Sequence, residues 1–251
     1  MVDIPALLEL AKSTATQAGE RLTEGGLATY SFSEELPREV KSLADTVLEE
    51  IILGALSRTG LEILSEERGL VPGTKAGGYR FIVDPLDGTF NFVRNLGPCA
   101  VSIALWEANR PVFGVIYDIM KRSLFFGGMN MGAWRDGLKI QVSQTSNVSQ
   151  AAICTGFPVR FEITGEETWK RFRDRISPFA KVRMFGSASM SLVCVADGCA
   201  DAYFEDNIML WDVAAGIALV EGAGGKVLWR GRGGSFALDV HADNGLLEEN
   251  L

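Results

Sequence analysis

Two aspartates three positions apart, Asp84 and Asp87, follow the apolar run Phe81, Ile82, Val83 and lead straight into Gly88 and Thr89 in "FIVDPLDGTFNF". Asp and Gly both favour chain reversals, so a turn accounts for Asp87-Gly88 alone. Two nearby carboxylates also repel one another unless something positive lies between them, which makes the same stretch a candidate cation site. Other acids stand in comparable places: Glu66 and Glu67 follow the apolar "EIL", and Asp212 opens "WDVAAGIALVEG". Taken singly, each reads as a solvated surface acid, and Asp212 as a charge complementing its helix dipole. Taken together, they occupy strand ends and a helix start, which commonly converge on one cleft. Oxygen ligands without His or Cys suit a hard cation, and Mg²⁺ takes one or two carboxylates plus waters and substrate phosphate. Gly88 and Thr89 would present backbone amides beside such a site, as phosphate-binding helix starts do.

Composition narrows the field further. A chain of 251 residues that is 47% hydrophobic can bury a sizeable core. A formal charge of -8 disfavours nonspecific nucleic-acid binding, which runs on surplus Lys and Arg. The single histidine, His241, and the lack of a Cys-x-x-Cys pair argue against zinc. Cys99, Cys154, Cys194 and Cys199 read as reduced core or near-core thiols of a cytoplasmic protein. No apolar stretch reaches the length of a membrane span, and "MVDIPALLELAKS" lacks the basic start and cleavage site of a secretory signal.

The elements that must position these acids follow from periodicity. Asp3 caps a helix carrying Leu7, Leu8, Ala11 and Ala18 on one side and ending near Gly25-Gly26. A second helix from about Ser42 to Arg58 places Leu43, Val47, Leu48, Ile51 and Leu56 at burying positions. Between them "SFSEELPREV" reads as a loop or irregular hairpin. From Leu61 the runs "EILS", "RFIV", "CAVSIALW", "PVFGVIYD" and "SLFFGG" predict an antiparallel sheet. After Asn147 strands ("AAICTGF", "VRMFG", "ADAYFE", "KVLW") alternate with helices ("SASMSLVCVADG", "WDVAAGIALVEGAGG"). Two sheets with helices packed on them fit this order. Residues 1–251 read as one domain, with a soft boundary near 145 between an N-terminal α+β half and a C-terminal α/β half.

The segments "SEERG", "DPLDGTFNF", "FGSAS" and "WDVAAGIALVEGAGG", in this order and over nearly the whole chain, resemble the magnesium-dependent, lithium-sensitive phosphatases that include inositol monophosphatase and fructose-1,6-bisphosphatase. The resemblance implies a layered αβαβα sandwich, the inositol monophosphatase-like sugar phosphatase fold, a homodimer and two or three Mg²⁺ ions. It makes Glu66, Asp84 and the Leu86 carbonyl ligands of one ion, and Asp84, Asp87 and Asp212 ligands of another. Glu66 and Thr89 would orient the attacking water, Asp87 would join them in catalysis, and the Gly88 and Thr89 amides would hold phosphate. Gly186, Ser187 and Ala188 would lie along the substrate ring, Glu205 would accept its hydroxyls, and Asp87 and Asp212 would touch it too. One departure is "VKSLAD", where Ser42 replaces the family's threonine while Asp45 is retained, so an outer metal site and the role of Lys41 stay open.

Inositol 1-phosphate is the expected substrate, with fructose 1,6-bisphosphate, a 3',5'-bisphosphate nucleotide and histidinol phosphate as alternatives. A second phosphate would need a cationic clamp, for which Arg94, Arg160 and Arg183 are candidates. An aspartyl nucleophile of the Asp-x-Asp-Gly-Thr type is excluded, because here the acids are three apart. A member that keeps the fold and regulates by binding proteins is the non-enzyme alternative; its mark, a missing metal ligand, is absent from the sequence.

Overall fold

The first helix, α1 (Ile4–Glu24), begins at a genuine cap: Asp3 Oδ1 accepts from the Ala6 amide at 3.1 Å. The computed structural model describes residues 2–24, 32–36, 39–75, 77–157 and 164–247, with backbone alone at 24, 32–36 and 39–42. The expected helix stop at Gly25-Gly26, Arg160, and the side chains of Lys41 and Ser42 lie outside what is described. The stretch read as a loop or hairpin holds an antiparallel pair, β1 (Phe32–Leu36) and β2 (Glu39–Ser42).

α2 (Leu43–Leu56) is turned from the expected face. Ala44, Leu48, Ile52 and Leu56 are buried, whereas Leu43 is 53% exposed and Val47 and Ile51 are only half-buried. The cause is two carboxylates on its inner face, Asp45 and Glu49, each 3% exposed. The rotation brings them inward to hydrogen-bonding groups, which a buried carboxylate requires.

An eight-stranded sheet follows, built from β3 (Glu62–Ser65), β4 (Gly69–Val71), β5 (Tyr79–Asp87), β6 (Ala100–Glu107), β7 (Arg110–Asp118), β8 (Ser123–Gly128), β9 (Gly132–Arg135) and β10 (Leu138–Ile140), with α3 (Thr89–Val93) after β5. The order is β10-β9-β8-β7-β6-β5-β3-β4. It is not wholly antiparallel: β3 and β5 run parallel, because β4 turns back on the outer side of β3 before the chain enters β5. The second sheet, in order β12-β11-β13-β15-β14, uses β11 (Ala152–Thr155), β12 (Lys181–Arg183), β13 (Ala202–Met209), β14 (Lys226–Gly231) and β15 (Ala237–Asp243). Its helices are α4 (Glu166–Ile176), α5 (Ala188–Ala196) and α6 (Leu210–Gly222).

The cores define five layers. Residues of α1 and α2 pack on one face of the large sheet, with Phe81, Val83, Val101, Ile103 and Val115. α5 and α6 fill the space between the sheets, against Ile82, Ala104 and Ile116 on one side and Cys154, Tyr203 and Val240 on the other. Phe172 of α4 covers the far face of the second sheet, with Ile153 and Phe204. The αβαβα order is therefore present. Among the described residues no helix is long and apolar enough to cross a membrane.

α6, which carries Asp212, is seated against bare backbone. A Cβ on Gly114 of β7 would stand 2.1 Å from the Ala215 carbonyl oxygen. Gly114→Ala must push α6 away, and overpacking of this kind costs about 1–3 kcal/mol. The expected result is a fall in Tm of roughly 2–4 °C per kcal/mol. An unchanged Tm would show that this glycine does not set the sheet-to-helix spacing.

Candidate active site

In a regular strand, residues three apart point to opposite faces. Between β5 and β6, however, Asp84 pairs with Ser102 and Asp87 with Ala100, so three steps on one strand match two on the other. The extra residue in Pro85-Leu86 is a β-bulge. Ser102 and Ala100 are two apart and share a face, so the bulge brings both aspartates to that face, the one covered by α5 and α6. Asp84 Oδ1 accepts from the Leu86 amide at 2.9 Å and pins the bulge. Gly88 then leaves the strand at φ 86°, and a Cβ there would lie 2.9 Å from the Pro98 carbonyl oxygen. A left-handed, crowded position of this kind is suited to glycine. It turns the chain into α3 at Thr89.

β3 is the parallel neighbour of β5, so Glu66 emerges at the same end, its amide donating to the Val83 carbonyl at 3.2 Å. Asp212 arrives from the other side, in the first turn of α6, where its Oδ2 accepts from the Met209 amide at 3.2 Å. Glu66, Asp84 and Asp212 each offer an oxygen within 4.8 Å of the others. Asp84 is 1% exposed. Glu66 and Asp212 are half-buried.

Burial pushes the Glu66 carboxyl up to about 8, with the charges of Asp45, Glu67 and Asp87 adding to it. Asp84 is raised by burial and then by the charges of Glu66, Asp87 and Asp212. Asp212 is raised by burial, then by Glu66, Asp87 and Glu205. A divalent cation relieves this repulsion, and an all-oxygen donor set fits a hard ion such as Mg²⁺. The expected set Asp84, Asp87 and Asp212 is not gathered to that separation: Asp87 stands beside the group of three rather than within it.

Asp87 is held from α5. Its Oδ2 accepts from the Ser187 hydroxyl, the Ser189 hydroxyl and the Ser189 amide, the last at 2.8 Å. Burial raises its pKa and these serine bonds pull it back. Ser187, expected along the substrate ring, is 4% exposed and spends its hydroxyl on Asp87. Ser189 was not anticipated, although the second serine of "FGSAS" was its signal. Gly186 is exposed at φ 70°, with its carbonyl and that of Phe185 reached by the Asn91 amide at 3.4 and 2.6 Å. Ala188 is buried at the first position of α5.

The Thr89 hydroxyl lies 2.9 Å from both Asp45 Oδ1 and the Leu86 carbonyl. Asp45 thus belongs to the site through Thr89. Glu205, at the β13 register shift, is 6% exposed and therefore no solvated strand-end acid. Burial and then the Asp87 charge push it up to about 8, against a lowering pull from the Tyr203 hydroxyl.

The other singled-out residues lie elsewhere. Arg94 sits over the Phe90 ring at 5.6 Å, and exposed Arg183 donates to the Val182 carbonyl. His241 pairs with Asp243 at 3.1 Å. All four cysteines are free, with Cys99 and Cys154 in the core, Cys194 at its edge and Cys199 exposed, so the last is not a near-core thiol.

Residues 5–250 match the sequence pattern of the inositol monophosphatase family. The chain is 34% identical to an inositol-1-monophosphatase of Mesorhizobium japonicum over 226 residues, covering 88% of this chain and 85% of the relative. It is 31% identical to the Nus factor SuhB of Pasteurella multocida over 243 residues, 94% of this chain and 89% of the relative. An inositol monophosphatase structure from an Anabaena species superposes with a TM-score of 0.84 at 33% identity, covering 98% of this chain and 93% of that one.

Proposed function

Because the chain belongs to the inositol monophosphatase family, and with it to the phosphoric monoester hydrolases, we propose that it is a Mg²⁺-dependent phosphatase of a small phosphorylated polyol or sugar, foremost inositol 1-phosphate. The observation that carries this reading is the convergence of Glu66, Asp84 and Asp212, each pushed above the usual carboxylate range. These three and the Leu86 carbonyl would hold the ions, with Asp87 beside them and two or three ions as the family pattern has it. When bound, Mg²⁺ lowers the pKa of water and offsets charge on the phosphate and the leaving oxygen.

The chain's own groups do the positioning. The Thr89 hydroxyl donates toward Asp45, which leaves its oxygen lone pairs to accept from the attacking water. Glu66, close enough to Asp45 to feel its charge, would orient that water together with Thr89. The Gly88 and Thr89 amides stand at a helix start, where a phosphate oxygen finds donors with no partner inside the helix. Asp87, fixed by Ser187 and Ser189, and Asp212, fixed by the Met209 amide, flank the substrate. Burial of Glu205 favours a specific hydroxyl contact over hydration, and the strip from Gly186 to Ala188 approaches the ring through its backbone. The reading includes one domain over 1–251, a homodimer and a cytoplasmic location; the four free cysteines support a reducing compartment.

The test is a phosphate-release panel with Mg²⁺: inositol 1-phosphate, fructose 1,6-bisphosphate, adenosine 3',5'-bisphosphate and histidinol phosphate. Inositol 1-phosphate is expected to lead. Release confined to the nucleotide would overturn the substrate while sparing the chemistry. Silence on all four would favour the binding role that the Nus factor name of a relative raises. Glu205→Ala sharpens the panel when it is run above about pH 8, where Glu205 is ionised, since a hydrogen bond to a charged acceptor is worth about 1.5–3 kcal/mol, roughly ten- to hundredfold in kcat/KM. That loss is expected on inositol 1-phosphate and not on an aryl phosphate, which has no ring hydroxyls. Equal losses on both would show that Glu205 supports the site's structure instead.

A further inference from the structure

We infer that Glu49 is a positioning residue for the cation site, holding the corner of chain that carries Glu66. The inference rests on reading Glu66, Asp84 and Asp212 as cation ligands. Glu49 lies one turn after Asp45 on the inner face of α2. Its Oε1 accepts from the Ser65 hydroxyl at 2.6 Å and the Arg68 amide at 3.0 Å, and its Oε2 accepts from Arg68 Nε at 3.2 Å. Ser65 and Arg68 flank Glu66 and Glu67, so one carboxylate ties down both ends of the corner.

An apolar residue would fill the same space without the desolvation cost of a buried acid. What it could not do is fix the rotation of the corner. Glu66 sits inside this corner, so the restraint fixes where its carboxylate stands relative to Asp84 and Asp212. The same helix reaches the other strand end, where Asp45 meets the Thr89 hydroxyl. α2 therefore serves both strand ends, with Glu49 holding the corner that carries the ligand Glu66 and Asp45 meeting the hydroxyl that orients water.

The experiment titrates Mg²⁺ into the metal-free full-length protein and follows both the rise in Tm and the onset of phosphate release. Loss of a partner that orients a metal ligand typically costs 10–100-fold in metal affinity, so Glu49→Ala should raise half-saturating Mg²⁺ roughly 10–100-fold. Glu49→Gln keeps an acceptor oxygen for Ser65 and the Arg68 amide and should recover most of that loss. Glu50→Ala, an exposed neighbour, should leave it unchanged. A Glu49→Ala protein that is less thermostable but saturates with Mg²⁺ like the wild type would overturn the inference. If Glu49→Ala does not fold, Ser65→Ala carries the test: weaker Mg²⁺ binding supports the inference and wild-type binding overturns it. A wild-type protein that neither binds Mg²⁺ nor releases phosphate would remove the phosphatase reading and this inference together, an outcome distinct from the variant's failure alone.

Discussion

Asp84→Asn is expected to lower kcat/KM by about a thousandfold or more, on the order of 4 kcal/mol of transition-state stabilisation. In the absence of Mg²⁺ the same substitution should make the protein more stable. Asp84 is the most enclosed of the three converging acids, and its charge is opposed by burial and by Glu66, Asp87 and Asp212. A carboxyl whose folded pKa lies above its unfolded value costs stability once the pH exceeds the unfolded value. That cost grows until the folded pKa is reached. The metal-free protein should therefore gain stability from this cluster as pH is lowered through the range reaching up to about 8 for Glu66. Asn at position 84 should shrink that gain. Thermal unfolding with a chelator at several pH values checks it; a variant that is inactive and also less stable without metal would indicate a damaged fold.

Thr89→Val should cost roughly 10²–10⁴-fold in kcat, the usual range for a lost proton-handling group. Valine matches threonine in shape, so the site's packing is kept while the hydroxyl between Asp45 and the Leu86 carbonyl is removed. Thr89→Ser, which restores a hydroxyl, should recover much of the rate. Because the carboxylates Glu66, Asp84 and Asp212 are untouched, half-saturating Mg²⁺ should stay within about a factor of two, which separates water orientation from ion binding. A large shift in Mg²⁺ dependence would instead make Thr89 part of the cation site.

The sequence places its singled-out acids at strand ends and a helix start, and the structure gathers Glu66, Asp84 and Asp212 there. Strand ends and a helix start do converge, and the structure adds that Asp84 and Asp87 share a face. Alternation alone predicts the opposite for residues three apart; the bulge that reverses it depends on pairing with β6, which no local pattern records. Apolar spacing alone turns Leu43, Val47 and Ile51 of α2 inward, and the buried carboxylates Asp45 and Glu49 are what rotate the helix from that face. α4 is legible as well, since Trp169, Phe172 and Ile176 of "EETWKRFRDRI" stand at helical spacing, but the stripe is three residues long and only Phe172 is buried. β9 and β10 are too short, at four and three residues, to display alternation. Ser189 was missed because its role lies across 102 residues of chain, at the Asp87 carboxylate.

The central claim is that the carboxylate cluster holds the divalent cation on which phosphate release depends. Its most direct test is phosphate release from inositol 1-phosphate by protein exhaustively stripped of metal, then resupplied with Mg²⁺. Release is expected to cease on stripping and return with Mg²⁺ in the wild type, and Mg²⁺ is expected to restore none of it in Asp84→Asn. Undiminished release from protein shown by elemental analysis to carry no divalent metal would contradict it.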